Sequence, residues 1–230
     1  MSPITFAHRG ARTEEPENTL TAFSRALELG AGGLESDAWL AADGEVVLVH
    51  DPVARKRLRR LRVARSSASQ LASVGVPRLA DLYGTCGTGF ELSLDVMEAR
   101  AVEPIVAVAR GVDALRRLWL CSPDVDLLER LRAQGDPPRL VHSERRRAVA
   151  QPLERHAADL AAAGIDAMNM HRSEWTKGLV ALFHRFGVRA FAWDVQEPRH
   201  LQAVLEMGVD AVYSDHVARM VAVVGEWAAS

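Results

Sequence analysis

The chain has 230 residues, 48% of them hydrophobic, a formal charge of −2 and a pI near 6.5. That length suits one large domain or two small ones with a sizeable core, and the near-neutral balance gives no electrostatic footprint for nucleic acid or an anionic membrane surface. The opening MSPITFAHRG carries no basic segment followed by an apolar stretch, and no run of about eighteen apolar residues occurs, so the expectation is a soluble, cytoplasmic protein with no integral membrane segment and no nucleic-acid partner.

A short β-branched and aromatic run from Ile4 ends in His8-Arg9-Gly10, as a strand delivering polar residues to a site would. After a polar loop, Glu17-Asn18-Thr19 opens a helix with Leu20, Phe23, Ala26 and Leu27 mostly on one face, stopped by Gly30. The stretch Gly32 to Pro52 then concentrates the chemistry. Glu35 and Asp37, spaced i, i+2, point to one face of an extended strand. Two carboxylates there are costly unless a cation lies between them. Asp43-Gly44 reads as a two-residue hairpin turn, and counting outward from it sets Asp37 opposite His50. From Ala54 to Gly75 the text is basic and then serine-rich, RKRLRRLR and SSAS, which suggests a surface helix or loop with a solvated face.

A short helix follows Pro77, and Phe90 to Met97 reads as a strand with Glu91, Ser93, Asp95 and Met97 on one face. Regular alternation follows, with strands beginning near residues 117, 139, 165, 188 and 209, each after a helical pattern. Counting those near 4, 33 and 90, and leaving aside the arm Val46 to His50, this gives eight strand-helix units. The fold class is therefore α/β, a TIM-type (β/α)8 barrel forming a single domain over residues 1–230. Cys86 and Cys121 lack metal-type spacing and read as reduced, buried thiols.

Barrel active sites collect at the carboxyl ends of the strands. Those ends carry His8, Arg9, Glu35, Asp37, Asp95 and Trp193, with His50 arriving by the hairpin and His142, His171 and Asp215 nearby. Three carboxylates without a thiolate suit Ca²⁺ or Mg²⁺, although Glu35 and Asp37 could equally be salt-bridged to Arg9. With a cation and Arg9 gripping oxygen anions, two histidines can act as acid and base across a phosphorus atom. That describes phosphodiester cleavage.

Taken together, His8-Arg9-Gly10, Pro16-Glu17-Asn18-Thr19, Ala22-Phe23, Glu35-Ser36-Asp37, Asp43-Gly44 and His50-Asp51 resemble the signature of the glycerophosphodiester phosphodiesterase family. The tail from Ala192 to Asp215 is similar to that family's last strands, and the middle resembles it loosely. The resemblance implies a barrel hydrolase that releases glycerol 3-phosphate and an alcohol using a divalent cation, Mg²⁺ or Ca²⁺. His8 and His50 match the acid/base pair, Arg9 the phosphate ligand, and Glu35 and Asp37 two metal ligands. Asp95 is taken as the third ligand and Trp193 as a wall for the substrate, a small glycerophosphodiester or lysophospholipid. Where the family usually reads Glu-x-Lys on its third barrel strand, this chain reads Asp95-Val96-Met97. A thioether cannot neutralise a phosphoryl oxygen as an ammonium does, so either Arg9 or another cation compensates or turnover is slow on the usual substrates. The alternatives left open are a phosphodiester-binding barrel with weakened catalysis and a phospholipase D-like or cyclising lyase acting on lysophospholipids. Oligomeric state is not legible.

Overall fold

Short apolar strands alternating with amphipathic helices leave each strand buried on both faces, and a parallel sheet with helical crossovers satisfies that pattern. The computed structural model describes residues 2–56, 59–135 and 137–229. Met1, Arg57, Leu58, Asp136 and Ser230, and with them both ends of the expected domain and the middle of the basic run, lie outside the described residues. In chain order the strands are Ile4–His8 (β1), Gly33–Leu40 (β2), Val46–Leu48 (β3), Val53–Lys56 (β4), Arg59–Arg62 (β5), Glu91–Val96 (β6), Leu118–Ser122 (β7), Arg139–Ser143 (β8), Ala167–His171 (β9), Arg189–Trp193 (β10) and Ala211–Ser214 (β11). Eight of them close a parallel ring in the order β1-β2-β6-β7-β8-β9-β10-β11, with β11 returning to β1. The expected TIM-type barrel is what forms, with each of its strands within a few residues of its expected place.

The ring has two cores. Outward-facing Leu34, Leu94, Leu120, Leu140 and Val212 are buried against the helices. Inside, Phe6, Trp119, Phe191 and Tyr213 fill the barrel, with ring centroids 4.8 Å apart for Phe6 and Tyr213 and 5.0 Å for Trp119 and Phe191. Each such buried ring stabilises the fold by about 1.5–3 kcal/mol, and together they floor the upper cavity. No helix among the described residues is long and apolar enough to cross a membrane.

Two local expectations are corrected. The β2–β3 turn spends three residues, not two. Ala41 N donates to Glu45 O at 2.9 Å and Gly44 N to Ala41 O at 3.0 Å, with Gly44 alone of the pair Asp43-Gly44 at positive φ, 84°. This is the type I turn with a left-handed glycine that three-residue hairpins favour. The Asp43 carboxylate is turned aside to accept from Ala68 N at 3.1 Å, at the start of the helix Ala68–Ala72. Every pair therefore shifts by one, so that Ala38 faces Leu48 and it is Val49 N, not His50, that meets Asp37 O, at 3.0 Å. Among the described residues the basic part of the stretch Ala54 to Gly75 forms an antiparallel ribbon, β4 with β5, and the expected helix comes only after it, at Ala68–Ala72.

Candidate active site

β1 ends in a turn that only its sequence permits. Arg9 and Gly10 both take positive φ, 57° and 81°, and a Cβ on Gly10 would stand 2.7 Å from the Ala22 carbonyl carbon. The tight turn aims the Arg9 amide at Glu35, donating to its Oε2 at 2.9 Å. Asn18, also left-handed at φ 55°, is buried and accepts from Ser36 Oγ at 2.7 Å while its Nδ2 reaches Asp37 Oδ2 at 3.4 Å. Thr19 caps the helix Leu20–Glu28 by accepting from Ala22 N at 3.2 Å, a contact worth about 1 kcal/mol. The motif residues thus lock one another's backbone before any ligand is considered.

Parallel pairing of β2 and β6 sets Glu35 opposite Ser93 and Asp37 opposite Asp95. One carboxylate oxygen from each of Glu35, Asp37 and Asp95 lies within 4.8 Å of the other two. Glu35 and Asp37 are buried, and Asp95 is partly so, on the cavity wall. Burial first, then the neighbouring carboxylates, push Glu35 well above the usual carboxylate range. Asp95 rises to about 7, again from burial and then from the charge of Asp37. One arginine does not offset this. Arg9 Nη1 is spent on Glu17 Oε1 at 3.1 Å, and its buried Nε, 3.5 Å from Asp37 Oδ2, makes no hydrogen bond. An all-oxygen set with a surplus of buried negative charge fits a hard divalent cation.

His8 Nδ1 donates to Asp215 Oδ1 at 2.6 Å, which leaves Nε2 turned toward the carboxylates, 3.9 Å from Glu35 Oε2. Burial alone would raise Asp215, but the His8 hydrogen bond and charge, with Arg12, hold it below the usual carboxylate range. Gln196 Oε1 fixes this corner by accepting from Asp215 N at 2.9 Å and Ser214 Oγ at 3.1 Å.

The cavity above has a volume of about 500 Å³, and its lining includes His8, Arg9, Glu35, Asp95, Trp193, Asp215, Arg145 and Asn169. Asp37 does not line it, but its carboxylate lies with those of Glu35 and Asp95, which do. His50 does not line it; the ring is half-exposed and paired with Asp51 Oδ1 at 3.0 Å. Met97, at the expected lysine position, is 38% exposed and does not line the cavity either. Arg145 does. It comes from the segment after β8, and its guanidinium lies 4.3 Å from the centroid of the Trp193 ring and 3.7 Å from Glu174. Sequence reasoning passed over Arg145 because it lies in an arginine-rich loop between elements. Asp215 was noted only as lying near a strand end, since it reaches His8 solely when the barrel closes across 207 residues.

The family model for glycerophosphoryl diester phosphodiesterases matches residues 8–83 and 90–219. A probable glycerophosphodiester phosphodiesterase of Mycobacterium tuberculosis is 29% identical over 253 residues, covering 97% of this chain and 92% of that protein. Among solved structures, a putative glycerophosphoryl diester phosphodiesterase from Silicibacter pomeroyi superposes with a TM-score of 0.86 at 23% identity, covering 99% of this chain and 95% of that one. A phosphodiesterase of Oleispira antarctica, solved with its product sn-glycerol-3-phosphate, superposes with a TM-score of 0.82 at 19% identity, covering 97% of each chain. With the family pattern running nearly its whole length, the chain belongs to the glycerophosphoryl diester phosphodiesterase family of enzymes.

Proposed function

We propose that the chain hydrolyses small glycerophosphodiesters, or lysophospholipids bearing such head groups, in a reaction that depends on Mg²⁺ or Ca²⁺ held by Glu35, Asp37 and Asp95. The observation that carries this reading is the trio of carboxylate oxygens within 4.8 Å of one another beside the cavity, next to an arginine whose Nη1 is already engaged. Bound there, the cation would polarise a phosphoryl oxygen and lower the pKa of the attacking hydroxyl. His8 exchanges a proton through Nε2, because Asp215 holds Nδ1 and so fixes the tautomer and the ring plane. His50 is the second acid/base group and gives up its Asp51 contact to reach the substrate.

Arg9, which lines the cavity, binds the phosphoryl oxygens from below. Arg145 binds them from the opposite wall and supplies the positive charge that Met97 cannot. Trp193 offers the apolar wall for the alcohol. Met97 is exposed and lies outside the lining, so Met97→Lys is expected to leave turnover unchanged, and a gain in rate would favour the reading of weakened catalysis. The test is turnover across a panel of glycerophosphodiesters and lysophospholipids followed by phosphorus NMR, with His8→Ala and His50→Ala alongside. Glycerol 3-phosphate formed by the parent and by neither variant supports the assignment. Full turnover by both variants contradicts it, and a cyclic phosphate as the end product assigns a lyase instead.

A further inference from the structure

The near-neutral total conceals a local excess of charge. Arg55, Lys56, Arg59, Arg60, Arg62 and Arg65 are all exposed, and among the described residues none has an ion-pair partner; the one polar contact is Arg59 Nη1 donating to Ser73 Oγ at 3.4 Å. Elsewhere arginines are commonly neutralised, as Arg12 is by Glu17, Arg25 by Glu14 and Arg132 by Asp166. The ribbon's register aggravates the repulsion by setting Arg55 opposite Arg60 and Lys56 opposite Arg59. Like charges directly opposed weaken a ladder, and a two-stranded ribbon has little stability to spare. Such a pairing makes sense where an anionic surface lies against it.

The ribbon's footing locates that surface. Ala54 and Val63 are buried with Val47, Ala68 and Leu71, and Trp39 packs on the same cluster. Trp39 lies two residues beyond Asp37 on β2, on the face that carries Glu35 and Asp37, so the ribbon stands at the barrel mouth. Alternation places Arg55, Arg60 and Arg62 on the ribbon face opposite Ala54 and Leu61. Three strands further round the ring, the segment after β8 adds Arg146 and Arg147, also exposed. Cations on two sides of one mouth match a flat anionic surface. No aromatic residue stands among the ribbon's cations to stack a base.

We infer that this basic rim docks the barrel mouth against the surface of an anionic phospholipid bilayer, from which the site draws its glycerophosphodiester head groups. The purpose of docking rests on the proposed function; the docking itself needs no turnover. The full chain is sedimented with vesicles of phosphatidylglycerol and phosphatidylcholine, or of phosphatidylcholine alone, at about 0.1 M and about 1 M salt. The parent is expected to bind the anionic vesicles at low salt only. Arg55→Gln/Arg60→Gln/Arg62→Gln should bind them about 100-fold more weakly, at about fivefold per arginine, while hydrolysing a soluble glycerophosphodiester at the parental rate. Equal binding to neutral vesicles, binding that survives high salt, parental binding by the triple variant, or tighter binding to a single-stranded oligonucleotide would overturn the inference. Vesicle binding by a parent that turns over no soluble substrate would uphold docking and count against the proposed function instead.

Discussion

Replacing Asp95 by asparagine separates a cation site from a salt-bridged cluster, because the two readings give opposite signs. In a chelator, Asp95 titrates near 7 in the folded protein against an ordinary value of 3.8. The folded state therefore holds a proton that the unfolded chain has released, and stability falls as pH climbs from about 4 to about 7. The gap of roughly three units, at about 1.36 kcal/mol each, costs at most about 4 kcal/mol by pH 8, less whatever water at the cavity wall relieves. Asp95→Asn removes that cost, so in chelator at pH 8 the variant should unfold at higher urea than the parent. Added Mg²⁺ or Ca²⁺ should close that gap, stabilising the parent by about 4 kcal/mol at a thousandfold excess over its dissociation constant and the variant far less. Urea titrations followed by tryptophan fluorescence read both limbs. A variant no more stable than the parent in chelator, or equal stabilisation of both by cation, would refute the charge-surplus argument.

Asp215→Asn should lower kcat by 10-fold or more with little change in KM, because it loosens the tautomer of His8 rather than the substrate's grip; an unchanged pH–rate profile would argue that Asp215 is only structural. Gly10→Ala should destabilise the fold by several kcal/mol, given φ 81° and a Cβ 2.7 Å from backbone, measurable as a fall in Tm; an unchanged Tm would contradict it. Burial, then the neighbouring His156, lower His142 to about 4 from 6.5. The stability it contributes is whole above pH 6.5 and is lost as pH falls toward 4, by about 3 kcal/mol. His142→Asn should flatten that limb of the Tm–pH curve, and an equally steep fall in the variant would show the acid sensitivity to lie elsewhere.

The barrel was legible because each of its strands must be apolar on both faces and each crossover helix on one, patterns that survive without any knowledge of partners. The carboxylate cluster was legible for a related reason. Glu35 and Asp37 share a face by alternation, and Asp95 ends the strand that pairs beside them. The hairpin register was missed by one residue because Asp43 has a use outside the turn, accepting from Ala68 N, that the dipeptide alone does not disclose. The basic ribbon was missed because its cations are exposed on both faces, so no period of two marks it as a strand. Asp215 and Arg145 enter the site only through ring closure and a loop, and neither leaves a local pattern.

The central claim is a cation-dependent hydrolysis at the Glu35, Asp37 and Asp95 cluster. Its most direct test is the phosphorus NMR time course of one soluble glycerophosphodiester with the parent protein, first in EDTA and then after Mg²⁺ or Ca²⁺ is restored in excess, with Asp37→Asn beside it. The account predicts no glycerol 3-phosphate in EDTA, its formation on adding cation, and little or none from Asp37→Asn in either condition. Undiminished turnover in EDTA would contradict it.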